Sequence, residues 1–334
     1  MKSEETERIP YFDFLNVVSC ICVVCMHSNG YIHTFNKDEW WWLRVLIEVI
    51  CYFAVPVFFM LSGATLLNYQ NRYSDLIFLK KRFKKTVIPF LIWGIIFYSL
   101  YLFGKYTTEI DWKTVFYNFS LGKIPFTNYW FFIPLFVLYL FIPFLARMIE
   151  NISQRQMECL LLMLLFFQSF LPTLFAVLGL EFKMSLPIGG YALYAIAGYY
   201  FAKFDIKGKW ILWSLAIAAI VSMVVRYYLV FSADGKIHAL FTYFGLFAVF
   251  PSFFLFLFAK FNRRLNNNVK LLRWVAGKTF GVYLLHTFII RLLERIINRD
   301  APYFILISFI TAFCLSLIIV AILQKNAFTK KLVP

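Results

Sequence analysis

Apolar runs long enough to cross a bilayer recur from one end of this 334-residue chain to the other. A helix needs about 20 residues to span the hydrocarbon layer. Ten stretches qualify, roughly 10–31, 44–68, 86–104, 128–147, 158–180, 187–204, 209–231, 238–260, 279–297 and 302–324. They are too long and too weakly alternating for barrel strands. In lipid only helices and closed barrels satisfy every backbone polar group. The sequence therefore predicts an all-α polytopic membrane protein with about ten transmembrane helices. Composition agrees: 62% of residues are hydrophobic, 15% are charged and mean hydropathy is +0.73. These values exclude a soluble enzyme, a disordered chain and a fibrous one. The even spread of apolar residues excludes a soluble domain on a single anchor.

The net charge is +16, from 33 basic and 17 acidic residues. In a membrane protein such an excess reports cytoplasmic loops rather than nucleic-acid binding. With the N-terminus inside, about two thirds of the basic residues fall on the inner side, including the 80–85 and 260–278 clusters and the tail. Both termini are thus expected in the cytoplasm, with Trp40, Trp41 and Trp42 in an outer aromatic belt. The leading MKSEETERIP carries more acid than base, and no small-residue cleavage pattern follows. The first apolar segment also holds Asp13, Asn16 and His27, so it reads as a retained helix rather than a signal peptide. The six cysteines lie in or beside apolar segments, without the spacing of a metal site or a disulfide framework. No repeat or polar linker divides the chain. It reads as one membrane domain over 1–334, with no separate soluble domain.

Ionisable groups inside a span are functional candidates by default. From Asn16 to His27 is about three helical turns, roughly 16 Å of rise, so both lie on one stripe, with Asp13 on the same side. A helix cap at Asp13 and an interfacial histidine at His27 would explain the same pattern without function. In the second span Pro56 should kink the helix, and Ser62-Gly63 should admit a close neighbour. Glu48 is expected to pair with Arg44 at the outer interface. Lys80–Lys85 is basic at every position but Phe83, and Arg82 and Lys85 fall on neighbouring helical positions. Together with Lys81 they suit phosphate binding or, more plainly, the positive-inside rule. Asn128, Tyr129 and Trp130 open the fourth span, and His286 follows Tyr283 by three residues in the ninth. No Walker A, HExxH or GxSxG pattern is present, and no metal site is expected.

Taken in order, YFDFLNVVSCICVVCMH (11–27), VPVFFMLSG (55–63), KKRFKKTVIPFLIW (80–93), NYWFFIPLFVLYLFIP (128–143), GYY (198–200) and GKTFGVYLLH (277–286) resemble the acyltransferase 3 family of bacterial integral membrane O-acyltransferases. The resemblance spreads over nearly the whole chain, and the helix count agrees with the family's ten-span core. It implies transfer of an acyl group, usually acetyl, from cytoplasmic acyl-CoA to a hydroxyl of a cell-envelope or extracellular carbohydrate. It places the protein in the bacterial cytoplasmic membrane. Acyl-CoA would be a co-substrate, with no resident cofactor. The implied partners are the carbohydrate acceptor, acyl-CoA, the lipid bilayer and an envelope-synthesis complex or a second copy.

His27 maps to the family's central catalytic histidine, with Asn16 and Asp13 as further catalytic candidates on its helix. Arg82 and Lys85 map to the basic pair that contacts CoA phosphates. Lys81, Asn128, Trp130, Tyr283 and His286 complete the candidate substrate and donor contacts. Acyl transfer needs a base for the hydroxyl and donors for the developing oxyanion. His27 could serve as base or as covalent carrier. Three positions depart from the family. Asn16 replaces an arginine, Asn128 stands two residues before Trp130 in place of a histidine just before the tryptophan, and Lys85 replaces the second basic-pair arginine. The lost arginine leaves a rival reading, a glycan or lipid-linked-sugar transporter or export component without transferase activity. A structural partner in an envelope complex is a third.

Overall fold

The computed structural model describes the chain except residues 1–7, 31–38, 106–109, 181–189, 207, 233–241 and 267–268. Residue 31 of the first predicted span, 187–189 of the sixth and 238–241 of the eighth therefore lie outside the described residues. Among the described residues there are only helices, turns and coil.

Among the described residues, seven helical segments are long and apolar enough to cross a membrane: Pro10–Asn29, Trp41–Asn71, Asp75–Gly104, Tyr129–Glu150, Gln154–Val177, Lys209–Ser232 and Tyr303–Leu323. Three predicted spans form shorter helices, Tyr191–Lys203 (α10) with 13 residues, Leu246–Phe261 (α12) with 16 and Thr279–Leu293 (α14) with 15. Helix α14 stops before the predicted 297 because the charged run from Arg291 to Asp300 begins there.

Prolines set the breaks. The second span divides into α2 (Trp41–Cys51) and α3 (Ala54–Leu66). Pro56 offers no N–H to the carbonyl of Tyr52, where the helix interrupts. Two other spans contain a π turn, Phe83–Val87 and Phe166–Phe170. Each is followed within two residues by a proline, Pro89 or Pro172, whose ring cannot fit over the carbonyl four residues back. A wider turn relieves that clash.

The chain condenses into two compact units, each assembled from three segments. The first takes Met1–Val23, Tyr31–Ala64 and Gln154–Gly277. Within it α3 and α10 approach backbone to backbone. A Cβ on Gly63 would lie 1.8 Å from the Ala195 carbonyl oxygen, and one on Gly198 would lie 2.0 Å from that of Met60. Helix α2 packs Trp41, Val45 and Val49 against Met223, Tyr227 and Val230 of α11 (Lys209–Ser232). Arg44 and Glu48 are buried on that same face, at 2% and 4% exposure, so they do not form the predicted interfacial pair. The guanidinium of Arg226 joins them there, centred 3.6 Å from the Tyr52 ring.

The second unit takes Val24–Gly30, Thr65–Ser153 and Lys278–Pro334. It contains α4 (Asp75–Arg82), α5 (Ile88–Gly104), α6 (Trp112–Leu121), α7 (Phe132–Glu150), α14 and α15 (Pro302–Leu323). Gly281 lets α14 meet α15, since a Cβ there would come 2.5 Å from Val320. Aromatic rings fill the interior: Phe90, Phe97 and Phe132 surround Tyr129, which is 1% exposed.

Candidate active site

Helix α1 (Pro10–Asn29) runs unbroken through all three polar candidates. Its last turn carries His27, and the middle of α14 carries His286, 259 residues later in sequence. The two imidazoles are nearly parallel, 8° apart in plane, with His27 Nδ1 2.7 Å from His286 Nε2. His286 is fully buried, whereas His27 is half-buried.

The hydrogen-bond partners fix the tautomers. His286 Nδ1 lies 3.0 Å from the carbonyl oxygen of Val282, which can only accept, so Nδ1 carries the proton. In the neutral ring Nε2 is then the acceptor, and His27 Nδ1 donates to it. His27 Nε2 is left with the lone pair, the form a general base requires. The Thr287 hydroxyl, 3.3 Å from His286 Nε2, adds a weaker contact to the same nitrogen.

Helix α14 also holds the start of α7. The Tyr283 hydroxyl donates to the carbonyl of Asn128 at 2.8 Å, and the Tyr129 hydroxyl donates to that of Leu284 at 2.8 Å. These bonds seat the Tyr129–Phe131 turn against α14 with Asn128 and Trp130 half-buried beside it. The Tyr283 ring stands 5.6 Å from that of His286. The loop leading in is strained. Phe126 is the non-glycine residue with positive φ, at 62°, among the described residues. Gly122 has φ +64°, and a Cβ on it would lie 2.5 Å from the Tyr129 carbonyl oxygen.

The basic cluster departs from regular α geometry. Helix α4 ends at Arg82 and the π turn begins at Phe83, and Lys85 remains an electrostatic neighbour of Arg82 across that change of geometry. Arg82 turns inward, its guanidinium 5.9 Å from the rings of Phe78 and Tyr139. Lys81 stands 3.9 Å over the Tyr73 ring, and Lys85 is exposed. The cluster is thus a half-buried arginine flanked by two accessible lysines.

Asp13 and Asn16 do not join the histidines. Arg8 donates to Asp13 Oδ1 from Nε at 2.9 Å and from Nη2 at 2.7 Å. Asn16 Nδ2 donates to the carbonyl of Ala276 at 3.4 Å. The continuous helix from Asn16 to His27 keeps them about 16 Å apart along its axis. Sequence reasoning named Tyr129 as a possible hydrogen-bond donor but not its bond to Leu284, and it missed Thr287 beside the second histidine. The adjacency of Thr287 to His286 was the available signal for the latter.

A buried histidine that accepts from a second one can hold that second ring in a single tautomer. The chain belongs to the acyltransferase 3 family: the family model, described as an acyltransferase domain, matches residues 9–321 of 334. It is accordingly a membrane acyltransferase in general class. No match was found among curated proteins or among solved structures.

Proposed function

We propose that this protein moves an acyl group, most simply acetyl, from cytoplasmic acyl-CoA to a hydroxyl of a cell-envelope carbohydrate, within the bacterial cytoplasmic membrane. The observation that carries the reading is the 2.7 Å contact between His27 and His286, with His286 in turn anchored to Val282. A base held in one tautomer by a second group is the arrangement that nucleophile activation requires.

In the proposed reaction His27 Nε2 takes the proton of the acceptor hydroxyl as its oxygen attacks the thioester carbonyl. The tetrahedral intermediate collapses, the C–S bond breaks and CoA leaves as a thiolate. That thiolate takes the proton back from His27, so the products are an ester and free CoA thiol. The positive charge carried meanwhile by His27 strengthens its hydrogen bond to His286 Nε2. Donors for the carbonyl oxygen come from the Asn128–Trp130 turn, whose place is fixed by Tyr283 and Tyr129. Arg82 grips a CoA phosphate, with Lys81 and Lys85 adding charge. Asp13 and Asn16 shape the other half of α1 and take no part in the proton transfer.

The test is acyl transfer by the full-length protein in nanodiscs with acetyl-CoA as donor. His27→Ala should abolish transfer while the protein still inserts and accumulates. Ordinary transfer by that variant would overturn the assignment.

A further inference from the structure

Helix α1 closes on Gly30, three residues past His27, in a left-handed conformation with φ +63°. The reason for a glycine is visible beside it. A Cβ would lie 2.4 Å from Arg299 Nη2 and 3.0 Å from Arg299 Cζ, so the guanidinium occupies the space a side chain would take. Arg299 comes from the turn between α14 and α15. Its Nη1 is held 3.2 Å from Glu294, and 21% of its side-chain surface stays accessible. Glu294 also takes Arg291 at 2.9 Å, so one carboxylate serves two guanidinium groups.

The charge around it has no topological explanation. Residues 291–300 carry Arg291, Arg295 and Arg299 against Glu294 and Asp300. With the termini inside, as the sequence leads one to expect, this segment falls at the outer side, where the positive-inside rule gives no reason for basic residues. Between His27 and Gly30 stands Ser28, 1% exposed, its hydroxyl without a hydrogen-bond partner among the described residues. A cation seated against Gly30 and a buried hydroxyl at Ser28 thus lie within three residues of His27 at the end of α1.

We propose that Arg299 binds an oxyanion, carboxylate or phosphate, carried by the acceptor, and so brings the acceptor hydroxyl to His27. The acceptor is then an acidic sugar unit rather than a neutral one. This rests on the acyl-transfer reading above. A helix cap alone would need only a positive charge, which lysine supplies; a guanidinium also offers the planar fork that matches a carboxylate or phosphate.

The test uses the purified full-length protein in nanodiscs, with glucose, glucuronate and glucose 6-phosphate as probes. Binding is read from the thermal unfolding midpoint and transfer from acetyl-CoA consumption. Glucuronate or glucose 6-phosphate should raise the wild-type midpoint and glucose should not; which anion is preferred distinguishes carboxylate from phosphate. Arg299→Gln should weaken that binding at least tenfold, Arg299→Lys should weaken it less, and Gly30→Ala should weaken it by displacing the guanidinium. His27→Ala should keep the binding and lose transfer, so failure of the acyl-transfer reading is seen separately. If Arg299→Gln does not fold, Arg299→Lys and Gly30→Ala carry the test. Equal response to glucose, no response to either anion, or undiminished binding in the Arg299 variants would overturn the proposal and leave Arg299 as a cap.

Discussion

Replacing His286 with phenylalanine keeps a planar ring in a fully buried position and removes both ring nitrogens. His27 Nδ1 then loses the acceptor that now stands 2.7 Å away. In the ground state that bond joins two neutral rings. In the transition state His27 carries the hydroxyl proton, and the bond becomes charge-assisted. Such a bond contributes about 1.5–3 kcal/mol against about 0.5–1.5 for the neutral one, a gain of about 1–1.5 kcal/mol. At about 1.36 kcal/mol per decade its loss lowers kcat by roughly 5- to 13-fold. Because the gain exists only in the transition state, KM for either substrate should change little. His286→Gln restores an acceptor oxygen and should recover part of the loss. The double variant His27→Ala/His286→Phe should be no slower than His27→Ala alone, since His286 acts only through His27. The assay is CoA thiol release by full-length protein in nanodiscs, on variants whose folding is confirmed by thermal unfolding. Wild-type kcat in His286→Phe, or a double variant slower by the full product of the two effects, would refute the relay between the rings.

Arg82→Ala should raise the apparent KM for acetyl-CoA more than it lowers kcat, because a phosphate grip acts in ground and transition states alike; an unchanged KM removes Arg82 from the donor site. Gly198→Ala drives a methyl into the Met60 carbonyl and should destabilise the fold by about 1–3 kcal/mol, read as a lower unfolding midpoint. Gly122→Ala, at φ +64° and facing the Tyr129 carbonyl, should shift the Asn128–Trp130 turn and reduce transfer with modest loss of folded yield. The Asp111 carboxyl, outside the membrane-spanning helices, is held below its usual 3.8 first by the Thr114 hydroxyl and then by the backbone N–H groups of Lys113 and Thr114. Its contribution to α6 is therefore complete above the unfolded value and disappears as pH falls through the lower folded one. Hydrogen exchange over 112–121, corrected for intrinsic rate, should loosen below about pH 4 in wild type and not in Asp111→Asn.

The spacing of apolar residues was enough to read the helical class and the approximate places of the seven long apolar helices, though the third begins at Asp75, well before the predicted 86. It did not show that α10, α12 and α14 would be short, because helix ends depend on where charge and proline fall against neighbours. His27 and His286 were each visible as ionisable groups inside spans. Their pairing was not, since no local pattern links residues 259 apart. Arg82 and Lys85 were legible as neighbours, but the π turn between them was not, because periodicity assumes α geometry. Asp13 belonged to the visible stripe on α1, but its partner Arg8 lies before the helix. Arg44 and Glu48 read as interfacial from their flanking tryptophans; only the facing Arg226 reveals that they are buried.

The proposed reaction has His27, oriented by His286, serve as the base for acyl transfer to an envelope glycan. Mass spectrometry of surface glycans tests it most directly, comparing cells with the protein, without it, and with the His27→Ala variant at equal level. The expected result is a fixed mass increment per sugar unit, that of acetyl or a related acyl group, lost equally in the deletion and the variant. Glycans of unchanged mass but reduced or mislocated amount, restored by the variant, would contradict it and point to transport instead.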